Sequence, residues 1–217
     1  MVGAVVLAAG ESRRLTTEAG CPKQLLRWGE WPLLTWVVRQ TLATRLRPVV
    51  VVLGYRAQEV KEVLPAPEEG VFDIVLNPDY TSGQASSVRC GVCHLLKGWG
   101  AARTRVDGVL FVLGDQPLVP ASTMDRIADY YRALQGKEGT RAIVVPVHRG
   151  HRGNPVLFGA AFFSELLDLR GDEGGRSLIR RYPESVHEVE AGPEVLVDID
   201  TPGDYALWRR GTTPVDR

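Results

Sequence analysis

Short, dense apolar runs alternate with longer amphipathic segments along most of this chain. Residues 2–8 are apolar almost throughout and run into Ala9-Gly10. Residues 32–44 instead place Leu33, Leu34, Trp36, Val37, Val38 and Leu42 on or near one helical face. Residues 48–53 are valine-rich, which predicts a strand buried on both faces. Further strands are predicted at 72–76, 108–113, 142–147 and 155–158, and helices at 57–64, 85–96, 122–134, 162–167 and 174–182. Residues 186–189 and 196–199 read as late strands, and 202–210 as a terminal helix with Pro202 in its first turn.

Strands that alternate with helices predict a mostly parallel sheet covered on both faces, hence a single three-layer α/β/α, Rossmann-like domain over residues 1–210. Residues 190–194 are too few for a helical crossover, so some antiparallel pairing is expected between the last two strands. Residues 211–217 read as a loose polar tail.

Composition narrows the picture only slightly. A chain of 217 residues can bury a full core. Its 26 basic and 26 acidic residues cancel, which gives no electrostatic reason to expect a nucleic acid or a membrane surface as partner. No apolar run approaches a membrane span, and the first one lacks the basic region of a signal peptide. Three cysteines fit a reducing cytoplasm.

In sheets of this kind ligands collect at the carboxyl ends of strands, and the chemically distinctive residues fall there. Gly10, Ser12, Arg13 and Arg14 follow the first strand. Asn77 and the loop 81–87 follow the third, Asp115 the fourth, and His148, Arg149, His151 and Arg152 the fifth. An Ala/Gly turn with exposed N–H groups and nearby cations suits phosphates. Lys23, beside Leu25 and Leu26, is a candidate for neutralising charge in phosphoryl transfer; as an isolated feature it reads equally as a surface charge. Asp115 and Asp200 each follow an apolar run and suit magnesium; a turn aspartate and a helix N-cap are the structural alternatives.

Two familiar nucleotide signatures are missing: there is no Walker loop and no three-glycine dinucleotide fingerprint after the first strand. Cys90-Gly-Val-Cys93-His94 matches a haem-attachment pattern but sits inside a predicted helix, and a structural pair is the simpler reading. Trp28, Trp31 and Trp36 are expected to pack the first helix. The loop from His148 to Pro155 is either a solvated basic loop or an anion-binding one.

Taken in order, these pieces resemble the nucleotidyltransferase family that contains molybdenum cofactor cytidylyltransferase and its guanylyl relatives. The resemblance rests on Leu7-Ala8-Ala9-Gly10-Glu11-Ser12-Arg13-Arg14, Gly20-Cys21-Pro22-Lys23-Gln24-Leu25, Asn77-Pro78, Gly83-Gln84-Ala85-Ser86-Ser87, Gly114-Asp115-Gln116-Pro117, Gly153-Asn154-Pro155, residues 171–176 and residues 198–205. It implies transfer of CMP from CTP to the terminal phosphate of molybdenum-molybdopterin, with Mg2+ and release of pyrophosphate. Lys23, Arg14 and Asp115 would be catalytic, and Asp115 and Asp200 would hold the metal. Leu7, Ala8, Ala9, Gly10, Ser12, Arg14, Lys23, Asn77, Gly83, Ser86, Ser87 and Asp115 would contact the nucleotide, with Arg152 and Asn154 toward the second substrate. The Ala8-Ala9-Gly10 form resembles the cytidylyl branch. Transient contact with a molybdoenzyme or its chaperone also follows from the resemblance. Residues 16–19 look like an insertion, and Asn154 stands where relatives often carry histidine. The rival readings are a guanylyl-transferring relative, a sugar- or polyol-phosphate nucleotidyltransferase, and a nucleotide- or cofactor-binding chaperone without turnover.

Overall fold

The structure, a computed structural model, describes residues 1–11, 20–66, 71–97, 105–138 and 140–209. Its strands are β1 (Val2–Ala8), β2 (Arg27–Trp28), β3 (Trp31–Pro32), β4 (Val49–Leu53), β5 (Asp73–Leu76), β6 (Gly108–Leu113), β7 (Ile143–His148), β8 (His151–Arg152), β9 (Val156–Gly159) and β10 (Val186–Glu190). Its helices are α1 (Leu33–Leu42), α2 (Ala57–Glu62), α3 (Gln84–Leu96), α4 (Ala121–Glu138), α5 (Phe163–Asp168), α6 (Arg176–Arg181) and α7 (Pro202–Arg209).

The two-residue period of a strand explains the layering. In β1, Ala4 and Val6 enter a core shared with Leu33, Leu34 and Val38 of α1, Val60 of α2 and Met124 and Ile127 of α4. Val5 points the other way, to Val88 and Val92 of α3, Leu166 of α5 and Leu178 of α6. Every residue of β4 is buried, as the valine run requires of a strand covered on both faces. The three-layer α/β/α expectation therefore holds.

The main sheet runs in the order β10-β7-β9-β6-β1-β4-β5, with β8 paired to β7. The pairs β1/β4, β1/β6, β4/β5 and β7/β10 are parallel. The chain leaves β1 on one side, through β4 and β5, and returns on the other as β6. That reversal opens a crevice at the carboxyl ends of β1 and β6, where open α/β sheets bind ligands.

Three details depart from the sequence expectations. Antiparallel pairing comes from β9, which runs against both β6 and β7, and from β8, which runs against β7. The strand at 186–189 (β10) instead joins β7 in parallel. The strand expected at 196–199 is absent: Pro193–Leu196 is a 3-10 turn, and Ile199 donates its N–H to the Asp115 carbonyl at 3.0 Å. A short apolar run predicts burial but not a ladder partner, and here burial comes from lying across the sheet's end. Finally, the first helix starts at Leu33, because residues 27–32 form the β2/β3 hairpin. Trp28 is buried there, Trp31 is exposed with the Arg39 guanidinium 3.7 Å from its ring, and Trp36 donates to the Pro117 carbonyl.

The Cys90–His94 segment is ordinary packed helix. Gly91 and Val92 face the sheet, Cys93 is exposed, and His94 lies 2.8 Å from Asp73. A Cβ on Gly91 would sit 2.5 Å from Cγ1 of Val5, a fully buried residue of the central strand. Gly91→Val is therefore expected to destabilise the fold by about 1–3 kcal/mol through overpacking, seen as a lower urea midpoint with an unchanged slope.

Candidate active site

The crevice floor is a register pair, Leu7 of β1 opposite Leu113 of β6. Two cavities open above it and share Leu7, Gln84, Leu113 and Asp172. The smaller, about 430 Å³, is lined by Ala9, Gly10, Glu11, Tyr80, Thr81, Gly83, Ser87 and Asp115. The larger, about 700 Å³, takes in Phe111, Asn154, Phe158, residues 172–177, Arg180, Asp198 and Asp200.

Lys23 lines neither cavity. Its side chain is only 9% exposed, and its ammonium bridges a carboxylate of each cavity: Nζ is 2.7 Å from Asp115 Oδ2 and 2.8 Å from Asp200 Oδ1. Burial by itself would depress this lysine's pKa. The Asp115 carboxylate, joined by Asp200, outweighs that effect and holds it above the ordinary lysine value. The ammonium thus stays charged throughout the neutral range.

Each member of this cluster is fixed by a local device. Lys23 opens a 3-10 turn closed by the Leu26 N–H on the Lys23 carbonyl, at 3.1 Å. Gln24, 5% exposed, donates from Nε2 to the carbonyls of Ala8 and Gly10, each at 3.1 Å, and so ties that turn to the loop after β1. Asp115 follows Gly114, whose N–H bonds the Leu7 carbonyl at 3.0 Å. Asp200 is held by the Ile199–Asp115 bond on one side and α7 on the other. Thr201 and Asp204 cap α7 reciprocally, Thr201 N–H to Asp204 Oδ2 at 2.8 Å and Asp204 N–H to Thr201 Oγ1 at 3.2 Å. The N-cap position that sequence offered as an alternative for Asp200 thus belongs to Thr201.

Asn77 is buried at the end of β5. Its Nδ2 donates to Ser86 Oγ at 2.8 Å and Ser87 Oγ at 3.0 Å, and its Oδ1 accepts from the Asp79 N–H at 3.0 Å. The buried amide braces the loop, while Ser87 and Gly83 reach the smaller cavity. Gly83, at φ 104°, packs so closely on Gly171 that a Cβ would lie 2.3 Å from its carbonyl. Leu7, Ala9, Gly10 and Asp115 meet at the smaller cavity, and Asn154 lines the larger. Ala8 is buried in the core and presents only its carbonyl, to Gln24. Ser86 donates to the Gly83 carbonyl at 2.8 Å. Arg152 turns away to Glu188 at 2.8 Å and lines neither cavity. Ser12, Arg14 and the insertion 16–19 lie outside the described residues, as does the tail 211–217.

Gln24, Gln116 and Asp198 stand in the motifs of the resemblance, which assigned them no role. Gln116, almost fully buried, donates from Nε2 to Asp198 Oδ1 at 2.7 Å. Asp198 is open to the cleft by surface area, yet the cleft walls crowd its carboxyl; this desolvation, followed by the charge on Asp115, raises its pKa. The Asp-Ile-Asp alternation was a usable signal, since a period of two puts both carboxylates on one side of an extended segment.

The donor set suits a hard cation. Asp115 Oδ1 is buried without a hydrogen-bond partner among the described residues, and Asp200 stands across the lysine from it. Among those residues no three His, Cys, Asp or Glu side chains converge into a metal cage. Two carboxylates completed by substrate oxygens is the arrangement magnesium commonly takes.

The family model described as a MobA-like NTP transferase domain matches residues 4–186. The chain belongs to this family. It is similar to the molybdenum cofactor cytidylyltransferase of Escherichia coli strain K12, at 24% identity over 99% of this chain and 98% of that protein. It is also similar to the purine catabolism protein PucB of Bacillus subtilis strain 168, at 30% identity over 95% of each. The bifunctional protein GlmU of Pelotomaculum thermopropionicum matches at 26% identity over 88% of this chain, which spans 38% of GlmU. Among solved structures, a nucleotidyl transferase from Methanothermobacter superposes with a TM-score of 0.76 at 25% identity, covering 97% of both chains. Rv0371c of Mycobacterium tuberculosis H37Rv, solved in complex with manganese, superposes with a TM-score of 0.69 at 29% identity, over 94% of this chain and 96% of that one. Membership makes the chain a nucleotidyltransferase that acts on nucleotide substrates. No helix among its described residues is long and apolar enough to cross a membrane.

The raised pKa of Asp198 has a definite sign for stability. A carboxyl whose folded pKa lies above its unfolded one favours the fold when protonated, and that contribution is lost as pH rises through the folded pKa. Asp198→Asn keeps the acceptor for Gln116 and removes the charge. Thermal melts should show the variant more stable than the parent at pH 7, with the gap closing as pH falls toward the ordinary aspartate range.

Proposed function

We propose that this MobA-like transferase moves CMP from CTP to the terminal phosphate of molybdenum-molybdopterin and releases pyrophosphate. The observation that carries the reading is the Lys23 bridge between Asp115 of one cavity and Asp200 of the other. Two substrates in adjacent cavities would meet at that bridge. The full-length likeness to a molybdenum cofactor cytidylyltransferase supports the choice of substrates.

On this reading the nucleotide occupies the smaller cavity, its triphosphate toward Gly10 and Asp115 and its base and ribose toward Tyr80, Thr81, Gly83 and Ser87. Backbone N–H groups after β1, with Ser12 and Arg14, hold the phosphates. The acceptor occupies the larger cavity, against Asn154, Arg176 and Arg180. An oxygen of its phosphate attacks the α-phosphorus as the bond from that phosphorus to the bridging oxygen of pyrophosphate breaks. The chain contributes alignment of the two substrates and positive charge from Lys23 beside the transferring group. Asp115 and Asp200 would hold Mg2+, which when bound neutralises charge on the triphosphate. The protein is proposed to work in the cytoplasm, and to hand its product to a molybdoenzyme or its chaperone.

The test is pyrophosphate release with Mg2+ and each of CTP, GTP and ATP, against molybdenum-loaded molybdopterin and a panel of sugar phosphates. Turnover is expected with CTP and molybdopterin, and Lys23→Ala and Asp115→Ala should each lower kcat by about 10²–10³-fold. Turnover with a sugar phosphate alone would overturn the acceptor, equal use of CTP and GTP would remove the base preference, and nucleotide binding with no turnover would favour a chaperone.

A further inference from the structure

Lys23 holds its ammonium between the two carboxylates that would bind a divalent cation. We propose that Lys23 is a stand-in cation that keeps the metal site closed until a nucleotide triphosphate draws its ammonium away, so that metal and nucleotide enter together. The proposal deepens the proposed function and rests on its assignment of Asp115 and Asp200 to the metal.

The geometry carries it. Nζ lies 2.7 Å from Asp115 Oδ2 and 2.8 Å from Asp200 Oδ1, so the ammonium already fills the space between the two carboxylates. A second cation brought to those oxygens would stand a few ångströms from a like charge in a cleft of reduced dielectric. Asp115, Asp200 and the ammonium between them sum to a single negative charge, so a dication at those two carboxylates competes with the ammonium for it. With the ammonium withdrawn, two carboxylates match a dication. Asp115 Oδ1, buried without a hydrogen-bond partner among the described residues, is the donor left over by the lysine and available to that ion.

The trigger is built into the same arrangement. Asp115 lines the smaller cavity, so a triphosphate there sets its own negative charge against the Asp115 carboxylate. Among the described residues, the Lys23 ammonium is the positive charge paired with Asp115. The Lys23 backbone is pinned by its 3-10 turn and by its neighbour Gln24. Its long side chain is therefore the part that swings, from carboxylates to phosphate, with no rearrangement of the sheet. Because binding free energies are reciprocal, the factor by which nucleotide tightens metal binding is the factor by which metal tightens nucleotide binding.

The experiment titrates Mn2+ against the protein and follows free Mn2+ by electron paramagnetic resonance, with and without the α,β-methylene analogues of CTP and GTP. The parent is expected to bind Mn2+ about tenfold or more tightly with the accepted analogue than without it. Lys23→Met should bind Mn2+ without nucleotide more tightly than the parent does without it. In the parent protein, the 15Nζ resonance of the Lys23 ammonium should stay in place when Mg2+ is added alone and move when the analogue is added. This second measurement decides the matter if Lys23→Met does not fold, with assignment then made through Lys23→Arg. Parent protein that binds Mn2+ equally well with and without analogue overturns the proposal. So does Lys23→Met that gains no affinity, or a 15Nζ resonance unmoved by analogue. A gain in Lys23→Met without pyrophosphate release from any nucleotide would support the exchange while overturning the proposed reaction.

Discussion

A buried ammonium shared by two carboxylates draws three distant parts of this chain to one point. Lys23 is 92 residues from Asp115 and 177 from Asp200. Removing one member of such a cluster leaves the others poorly compensated, which costs more than the intact cluster contributes over apolar packing. A cluster of this kind is better understood as a specification of geometry than as a source of stability. It sits between the two cavities, where a nucleotidyltransferase must bring its substrates together.

What lets the cluster form is the strap that follows β10. Residues 193–200 do not add a strand; they cross the end of the sheet and are sewn down at separated points. Val195 accepts from the Asn154 N–H at 2.9 Å, and Ile199 donates to Asp115. The side chains of Val195 and Ile199 are fully buried, while Asp198 and Asp200 between and after them face the crevice. Tyr205 then fastens α7 to the β2/β3 hairpin by donating to the Arg27 carbonyl at 2.8 Å. The hairpin leads directly out of the segment that carries Lys23, so both ends of the bridge are anchored to the same corner of the molecule.

Much of the fold was legible in the chain. Apolar runs at 2–8, 49–53 and 108–113 are strands, and the helix-period segments between them became helices. Period and composition are local properties, and a strand buried on both faces has few sequences open to it. The site was legible in outline: Gly10 and Asp115 reach one crevice because they follow the parallel strands β1 and β6, while Asp200 reaches it on the strap. Individual side-chain assignments were less so. Asn77 braces a loop, Arg152 pairs with Glu188, and Gln24, Gln116 and Asp198 stood within the quoted motifs without an assigned role, since what each one holds is a distant partner.

The sequence by itself determined the layers, the burial of the central strands and the turn after β1, because hydrophobic periodicity and Ala/Gly chemistry act over a few residues. Only the tertiary structure decided that β9 runs antiparallel, that 196–199 is a strap and that Lys23 lies between two aspartates. Each of those outcomes depends on which distant group is within about 3 Å, and a contact of that range is set by packing of the whole chain rather than by its local pattern.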